Sequence, residues 1–280
     1  MTDPTPAPDA RAITINIDHV AEVMRLGVRR AMAFIGLVEV YSAQEAPRSL
    51  SLSTMTSFRV LPDPLPETVA ASCKKEFVSW VLGNSLAELD RFLHLFLDQV
   101  WHVAELVENG PVQAGEVNPI SIEGQTNSAA KMRLVTGRIG AEDQQSPHWA
   151  TLANARNCLM HQAGQVTPAK ANHEGALRVS WRRLETLIET ENGGRFVMND
   201  IYEPFQIDSP GRAAIAVADH HIDFQVGEQI NLRPQYLSEI CFYYLMTGDS
   251  IIAALVQHCR SKRLNVVAPA DPALTLTAQA

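Results

Sequence analysis

A short segment near the middle of the chain carries the residues best suited to chemistry. Residues 152–166 read LANARNCLMHQAGQV and contain Arg156 and Asn157, followed by His161. Arginine is a permanent cation whose forked donors match phosphate oxygens. Histidine is the side chain best placed to move protons at neutral pH. Side chains of these types could together cleave an RNA phosphodiester without a metal ion.

The spacing of these residues sets a geometric condition on any such chemistry. Apolar residues recur at steps of three and four, which predicts a helix over about residues 147–163 that ends at Gly164. Arg156 and His161 then lie about 140° apart around the helix axis. One helix cannot direct both side chains to one phosphate unless it is distorted or a second copy contributes. A two-fold homodimer would meet this condition, because it brings two Arg/His sets to one groove.

The elements that must position this segment are mostly helical. The same periodicity predicts four further helices: from about Asp18 to Val38, over residues 67–108, over 129–139 and over 233–258. The helix over 67–108 has the longest apolar face, although Gly83 and Asn84 could kink or split it.

After the central segment the sequence pattern changes from one typical of helices to one typical of short strands. Short strands are predicted at 177–181, 195–198, 213–218 and 221–226, separated by Gly, Asn, Asp and Pro turns. We therefore expect a mainly α fold, a helical bundle with a small β insert at about residues 177–230, before the C-terminal helix. Residues 1–15 and 263–280 are predicted to be disordered.

The central segment resembles a known family signature. Arg156-Asn157-Cys158-Leu159-Met160-His161 matches the pattern of the HEPN superfamily, which is Arg, a polar residue, three variable residues and His. The HEPN superfamily consists of small helical proteins, many of them RNases. The long helix before the motif and the glycine after it are also similar to that family. The resemblance implies one HEPN-like helical domain over residues 16–262, with the β insert inside it.

The resemblance also implies a function. It implies a metal-independent endoribonuclease that works as a homodimer on RNA and leaves a 2′,3′-cyclic phosphate and a 5′-OH. His161 would act as general base or acid, Arg156 would hold the scissile phosphate, and Asn157 would orient His161 or contact the phosphate. A toxin or phage-defence effector with an antitoxin protein as partner would fit this activity. No cofactor and no metal ion is expected.

Two other interpretations remain open at the level of sequence. The first is a non-catalytic HEPN-like module that dimerises or binds a nucleotide or a partner protein. The second is an unrelated helical scaffold, in which Arg156 and His161 are cations at an exposed helix edge near the C-terminus, where they suit the helix dipole.

Composition excludes several other classes of protein. The 280 residues carry a formal net charge of -8, which argues against a protein that coats nucleic acid along its length. No P-loop, GxGxxG, GxSxG or HExxH motif occurs. The apolar stretch 82–107 is interrupted by charged residues, and the N-terminus does not resemble a secretory signal. We therefore expect a cytoplasmic protein without a membrane span.

The cysteines and several histidines have ordinary structural interpretations. Cys158, Cys241 and Cys259 lie among apolar neighbours and are predicted to be buried, reduced thiols. His94 shares a face of the long helix with His102; a core or surface role is favoured over an auxiliary acid or base. The pair at 220–221 could suggest a metal site, but adjacent histidines in a strand would point to opposite faces and supply one ligand at most, so a turn is favoured.

The remaining candidates are aromatic or charged. Trp80 and Trp101 are assigned to the core, whereas Trp149 is left open as a residue that could stack on a base. The carboxylates at 90, 98 and 105 of the long helix are assigned to a solvated flank. Lys74 and Lys75, and the pair Arg182-Arg183, could contact RNA or serve solubility equally well.

Overall fold

The computed structural model of the protein describes seven ranges of the chain. They are residues 15–42, 49–51, 57–59, 66–109, 122–141, 146–198 and 209–262. The termini predicted to be disordered lie outside these ranges, apart from Ile15.

Helices account for most of the described residues. They are α1 (Ile17–Ser42), α2 (Glu67–Asn109), α3 (Ser128–Ile139), α4 (Ser146–His161) and α5 (Pro234–Ser261). All five predicted helices are therefore confirmed, and α2 is not split at Gly83. Asn127 begins α3 with its side chain, whose Oδ1 accepts the backbone N–H of Ala130 at 2.9 Å.

The long helix α2 is the centre of the bundle. It packs against all four other helices, α1, α3, α4 and α5. Its buried face is made by apolar residues at steps of three and four, namely Leu86, Leu89, Leu93, Phe96, Leu97 and Val100. Because this apolar surface is removed from water from Val81 to Glu105, that part of α2 is the element against which the others are positioned.

The β structure forms two separate sheets. A short antiparallel pair joins β1 (Ser49–Ser51) to β2 (Ser57–Arg59). A second antiparallel sheet contains β3 (Ala176–Thr190), β4 (Arg195–Val197) and β5 (Gly211–Gln225), in the order β4-β3-β5. β3 and β5 pair over their whole lengths. The two strands predicted over residues 213–226 are thus a single strand, and the turn predicted at residues 220–221 is wrong.

Two contacts fix α4 between the sheet and the helices. The Thr151 hydroxyl oxygen accepts a hydrogen bond from the backbone N–H of Ser180 in β3 at 3.0 Å. A side chain of α4 thus takes the place that the backbone carbonyl of a neighbouring strand would have in a sheet. Trp149 is 1% exposed, and its ring stacks on Tyr243 of α5 at 4.7 Å between centroids. The fold is mainly α, with the small sheet between α4 and α5 in sequence, as predicted.

Helix α5 is the most apolar of the helices in the described part of the chain. By length and composition alone α5 is long and apolar enough to cross a membrane, unlike residues 82–107, which charged residues interrupt. In the structure α5 packs against α1, α2 and β3, and its buried face includes Leu237, Ile240 and Leu255. The apolar character of α5 therefore serves, at least on this face, to pack the helix against the other elements.

Candidate functional site

Arg156 projects from α4 toward α2, where a carboxylate receives it. Its Nη2 lies 3.1 Å from Oδ2 of Asp90, and the two side chains are 26% and 9% exposed. The Arg156 Nε is buried and has no hydrogen-bond partner among the described residues. The guanidinium is therefore held by an ion pair with Asp90 and keeps part of its surface open to solvent.

Asp90 is the centre of a polar cluster that joins three helices. Its Oδ1 accepts the hydroxyl of Ser128, at the start of α3, at 2.5 Å. The Ser128 oxygen in turn lies 3.1 Å from Nε2 of His94. Because that hydroxyl proton is given to Asp90, Ser128 accepts from His94, which assigns the proton of the neutral imidazole to Nε2. We call Asp90, His94, Ser128 and Arg156 the Asp90 cluster.

His94 is neutral at physiological pH in this environment. Burial lowers its pKa below the usual 6.5, and the cations of Lys131 and Arg156 lower it further. The carboxylates of Asp90 and Asp98 oppose the shift but do not cancel it. The Asp90 cluster therefore holds one negative charge, on Asp90, opposite the positive charge of Arg156.

Asn157 and His161 lie on the outward side of α4. His161 is exposed and Asn157 half-buried, and neither has a hydrogen bond or ion pair within the described residues. α4 ends directly after His161. The backbone N–H of Gly164, which has a positive φ of 77°, bonds the Cys158 carbonyl at 2.9 Å. Gly164 takes the left-handed conformation predicted for it, but Ala163 before it is also left-handed, with a φ of 50°, so the two residues close α4 together.

A single chain does not bring the three predicted site residues together. Arg156 is directed to Asp90, whereas the half-buried Asn157 and the exposed His161 lie on another side of the same helix. This is the separation that the helical spacing predicts. What one chain presents is a fixed cation at the edge of a surface that carries an amide and a free imidazole.

The surface beside His161 also carries exposed apolar side chains. Gly83 of α2 lies against α4, since a Cβ added there would be 3.1 Å from Leu159 Cβ and 3.8 Å from Met160 Sδ. One turn earlier on α2, Trp80 is 65% exposed, and Met160 of α4 is 40% exposed. The assignment of Trp80 to the core is wrong, because the buried part of α2 begins only at Val81.

The assignment of the α2 carboxylates to a solvated flank is also wrong. Asp90 and Glu105 are buried, and Asp98 pairs at 2.6 Å with Lys131, whose side chain is 2% exposed. A signal for Asp90 was present in the sequence, because it lies four residues after Leu86 on the apolar face of α2. No comparable signal in the sequence pointed to Ser128.

The other candidate residues have structural roles. Trp149 and Trp181 are buried, so neither is free to stack on a base, and Trp101 is in the core as predicted. His220 packs on Trp181 with ring centroids 4.9 Å apart. The three cysteines predicted to be buried, reduced thiols are so. Among the described residues no group of three or more His, Cys, Asp or Glu side chains is arranged to hold a metal ion.

Comparisons with protein-family models, with curated proteins and with solved structures give no match for this chain. The functional argument therefore depends on the residues of the chain itself. Its strongest elements are the fixed guanidinium of Arg156 and the imidazole of His161, which has no partner in the described part of the chain, on one helix.

Proposed function

We propose that the protein is a metal-independent endoribonuclease of the HEPN type that acts as a homodimer in the cytoplasm. The observation that carries this proposal is the arrangement on α4. Arg156 is fixed by Asp90 at the edge of the surface on which Asn157 and His161 are free of other partners. An ordered cation beside an available proton carrier is the minimum that phosphodiester transesterification needs.

The chemistry proposed is attack by the ribose 2′-oxygen on the adjacent phosphorus. His161 takes the proton of the 2′-OH as the O2′–P bond forms, and the P–O5′ bond breaks. The 5′-oxygen takes its proton from the partner subunit's His161, so the products are a 2′,3′-cyclic phosphate and a 5′-OH. Arg156 stabilises the charge on the non-bridging oxygens in the transition state.

A second copy is part of the proposal because the two side chains diverge on one helix. A two-fold axis near the end of α4 would set Arg156 of one protomer near the partner subunit's His161. The exposed side chains of Phe77, Trp80 and Met160 support this placement, since a dimer would cover them. A toxin or phage-defence role, with an antitoxin protein as partner, is the biological setting proposed with it.

The alternative is a non-catalytic module that dimerises or binds a nucleotide. The observation in its favour is the ion pair between Arg156 and Asp90. The Asp90 carboxylate neutralises the positive charge of Arg156 that would otherwise bind a scissile phosphate. In this alternative Arg156 has a structural role in joining α4 to α2, and His161 is dispensable.

The deciding experiment is an RNase assay in EDTA on mixed tRNA and mRNA. We expect the unmodified chain to cleave and the His161→Ala variant to lose at least about 100-fold in rate, the usual contribution of a general acid or base. His161 is exposed, so its loss does not affect folding, and His19→Ala, an exposed histidine on α1, is the matched control.

Arg156→Lys completes the test, because it keeps the charge and loses the forked donor geometry. Cleavage that is lost in both site variants, retained in the control and leaves cyclic-phosphate ends supports the proposal. A folded dimer that does not cleave RNA, or cleavage that persists without His161, contradicts it.

A further inference from the structure

A groove lies between the N-terminal part of α2 and the connection from β5 to α5. Its volume is about 770 Å³. One wall is made by Lys74, Lys75 and Val78 of α2, and the other by Phe224, Gln229 and Asn231. The volume lies in the range of pockets that bind small organic ligands, and a groove of this size accommodates one or two nucleotides.

The unpaired charges in this groove are mainly positive. Lys74 and Lys75 are exposed, and no carboxylate of the described ranges pairs with either. Asp223 also lines the groove, but Arg178 holds it with two hydrogen bonds of 2.8 and 2.7 Å, which lower the pKa of that carboxyl. Glu228 is then the one lining carboxylate without a cationic partner among the described residues, against two free lysines.

The groove adjoins the end of α4. The Gln229 amide Nε2 donates to the carbonyl of Ala163 at 3.3 Å, two residues after His161. On the opposite wall Ser79 approaches Gly164, where its Oγ would lie 3.7 Å from an added Cβ. The groove therefore opens beside the helix terminus that carries His161.

We propose that this groove binds the single-stranded RNA that flanks the scissile phosphate. The amino groups of Lys74 and Lys75 contact phosphates, Val78 and Phe224 form an apolar wall against a base, and the amide of Asn231 contacts a base edge. This assignment rests on the proposed ribonuclease function, because that function supplies the RNA strand at His161. The lysines line the groove that opens beside the end of α4, which distinguishes them from general surface charge in a chain whose net charge is -8.

The test measures binding separately from cleavage. In the His161→Ala background, which keeps RNA intact, the affinity for a short fluorescein-labelled single-stranded RNA is measured by anisotropy over a range of salt concentrations. The double substitution Lys74→Gln with Lys75→Gln should weaken binding about tenfold. It should also make the slope of log K against log salt less steep by about 1.4, the change expected when two phosphate contacts on a single strand are lost.

The matched control removes two cations elsewhere on the surface. Lys262→Gln with Arg212→Gln changes two exposed residues at the end of α5 and the start of β5, and should leave both affinity and slope unchanged. Equal weakening by the two pairs shows non-specific charge attraction and overturns the groove assignment. Displacement of the RNA by a polyglutamate peptide at equal concentration shows a site for acidic peptides and also overturns it.

The two proposals fail in different ways. If the unmodified chain cleaves RNA and the Lys74/Lys75 variant binds it unchanged, the groove assignment is wrong and the ribonuclease stands. If no cleavage occurs but the variant loses affinity and slope as expected, the groove is confirmed as an RNA site and the catalytic proposal is wrong.

Discussion

The Asp90 cluster gives a quantitative prediction about stability. Replacing Asp90 by Asn removes the negative charge and leaves the Arg156 guanidinium opposite a neutral amide. Breaking a fully buried ion pair by removing one partner costs about 3–5 kcal/mol. Since the Arg156 side chain is 26% exposed, water screens part of this loss. We therefore expect Asp90→Asn to lower the free energy of unfolding by about 2–3 kcal/mol, below the fully buried value.

A double-mutant cycle separates the ion pair from the other contacts of Asp90. The four chains are the unmodified protein, Asp90→Asn, Arg156→Met and the double variant, each unfolded in urea at neutral pH. In the double variant neither charge is left unpaired, so its loss of stability should be smaller than the sum of the two single losses. We expect the difference to be about 1–2 kcal/mol, in the range for residues in direct contact.

Glu88 provides the control for this cycle. It lies two residues before Asp90 on α2 and pairs with Arg30 and Arg91, whose side chains are 47% and 55% exposed. Surface pairs of this kind are worth about 0–1 kcal/mol, so Glu88→Gln should have little effect. The reasoning is refuted if Asp90→Asn costs no more than Glu88→Gln, or if the Asp90 and Arg156 losses are additive.

Two further predictions concern packing and pH. Gly83→Val should lower the melting temperature by loosening α2 from α4, because a Cβ added at Gly83 would lie 3.1 Å from Leu159 Cβ. Gly36→Ala is the control, because a Cβ added there has no atom within 4 Å, and this variant should leave the melting temperature unchanged or raise it. Equal melting temperatures for the two variants would contradict this prediction. The folded-state pKa of His94 lies below 6.5, so as the pH falls from 6.5 the unfolded chain binds a proton at this residue more readily than the folded chain does. The stability that depends on His94 is therefore fully present above pH 6.5 and decreases below it. In thermal melts measured against pH, His94→Gln should flatten this decrease, and an unchanged profile would count against the prediction.

Local sequence patterns are enough to place the five helices and to set the spacing of the motif. Helix positions follow from the recurrence of apolar residues along the chain, which is a local property. The separation of Arg156 from His161 follows from the helical repeat alone, before any packing is known. The left-handed conformation of Gly164 after α4 is likewise local, because glycine adopts a positive φ without a steric penalty.

The environment of these residues depends instead on contacts between elements that are distant in the sequence. The burial of Asp90 depends on α3 and α4, which meet α2 at that point and supply Ser128 and Arg156. The exposure of Trp80 has the opposite cause, since no element of the described ranges packs over this side chain. β5 is continuous because β3 pairs with it over its whole length, which outweighs the turn signals within it. In each case the outcome depends on which elements come into contact, and apolar periodicity specifies the buried face of an element without specifying its partner.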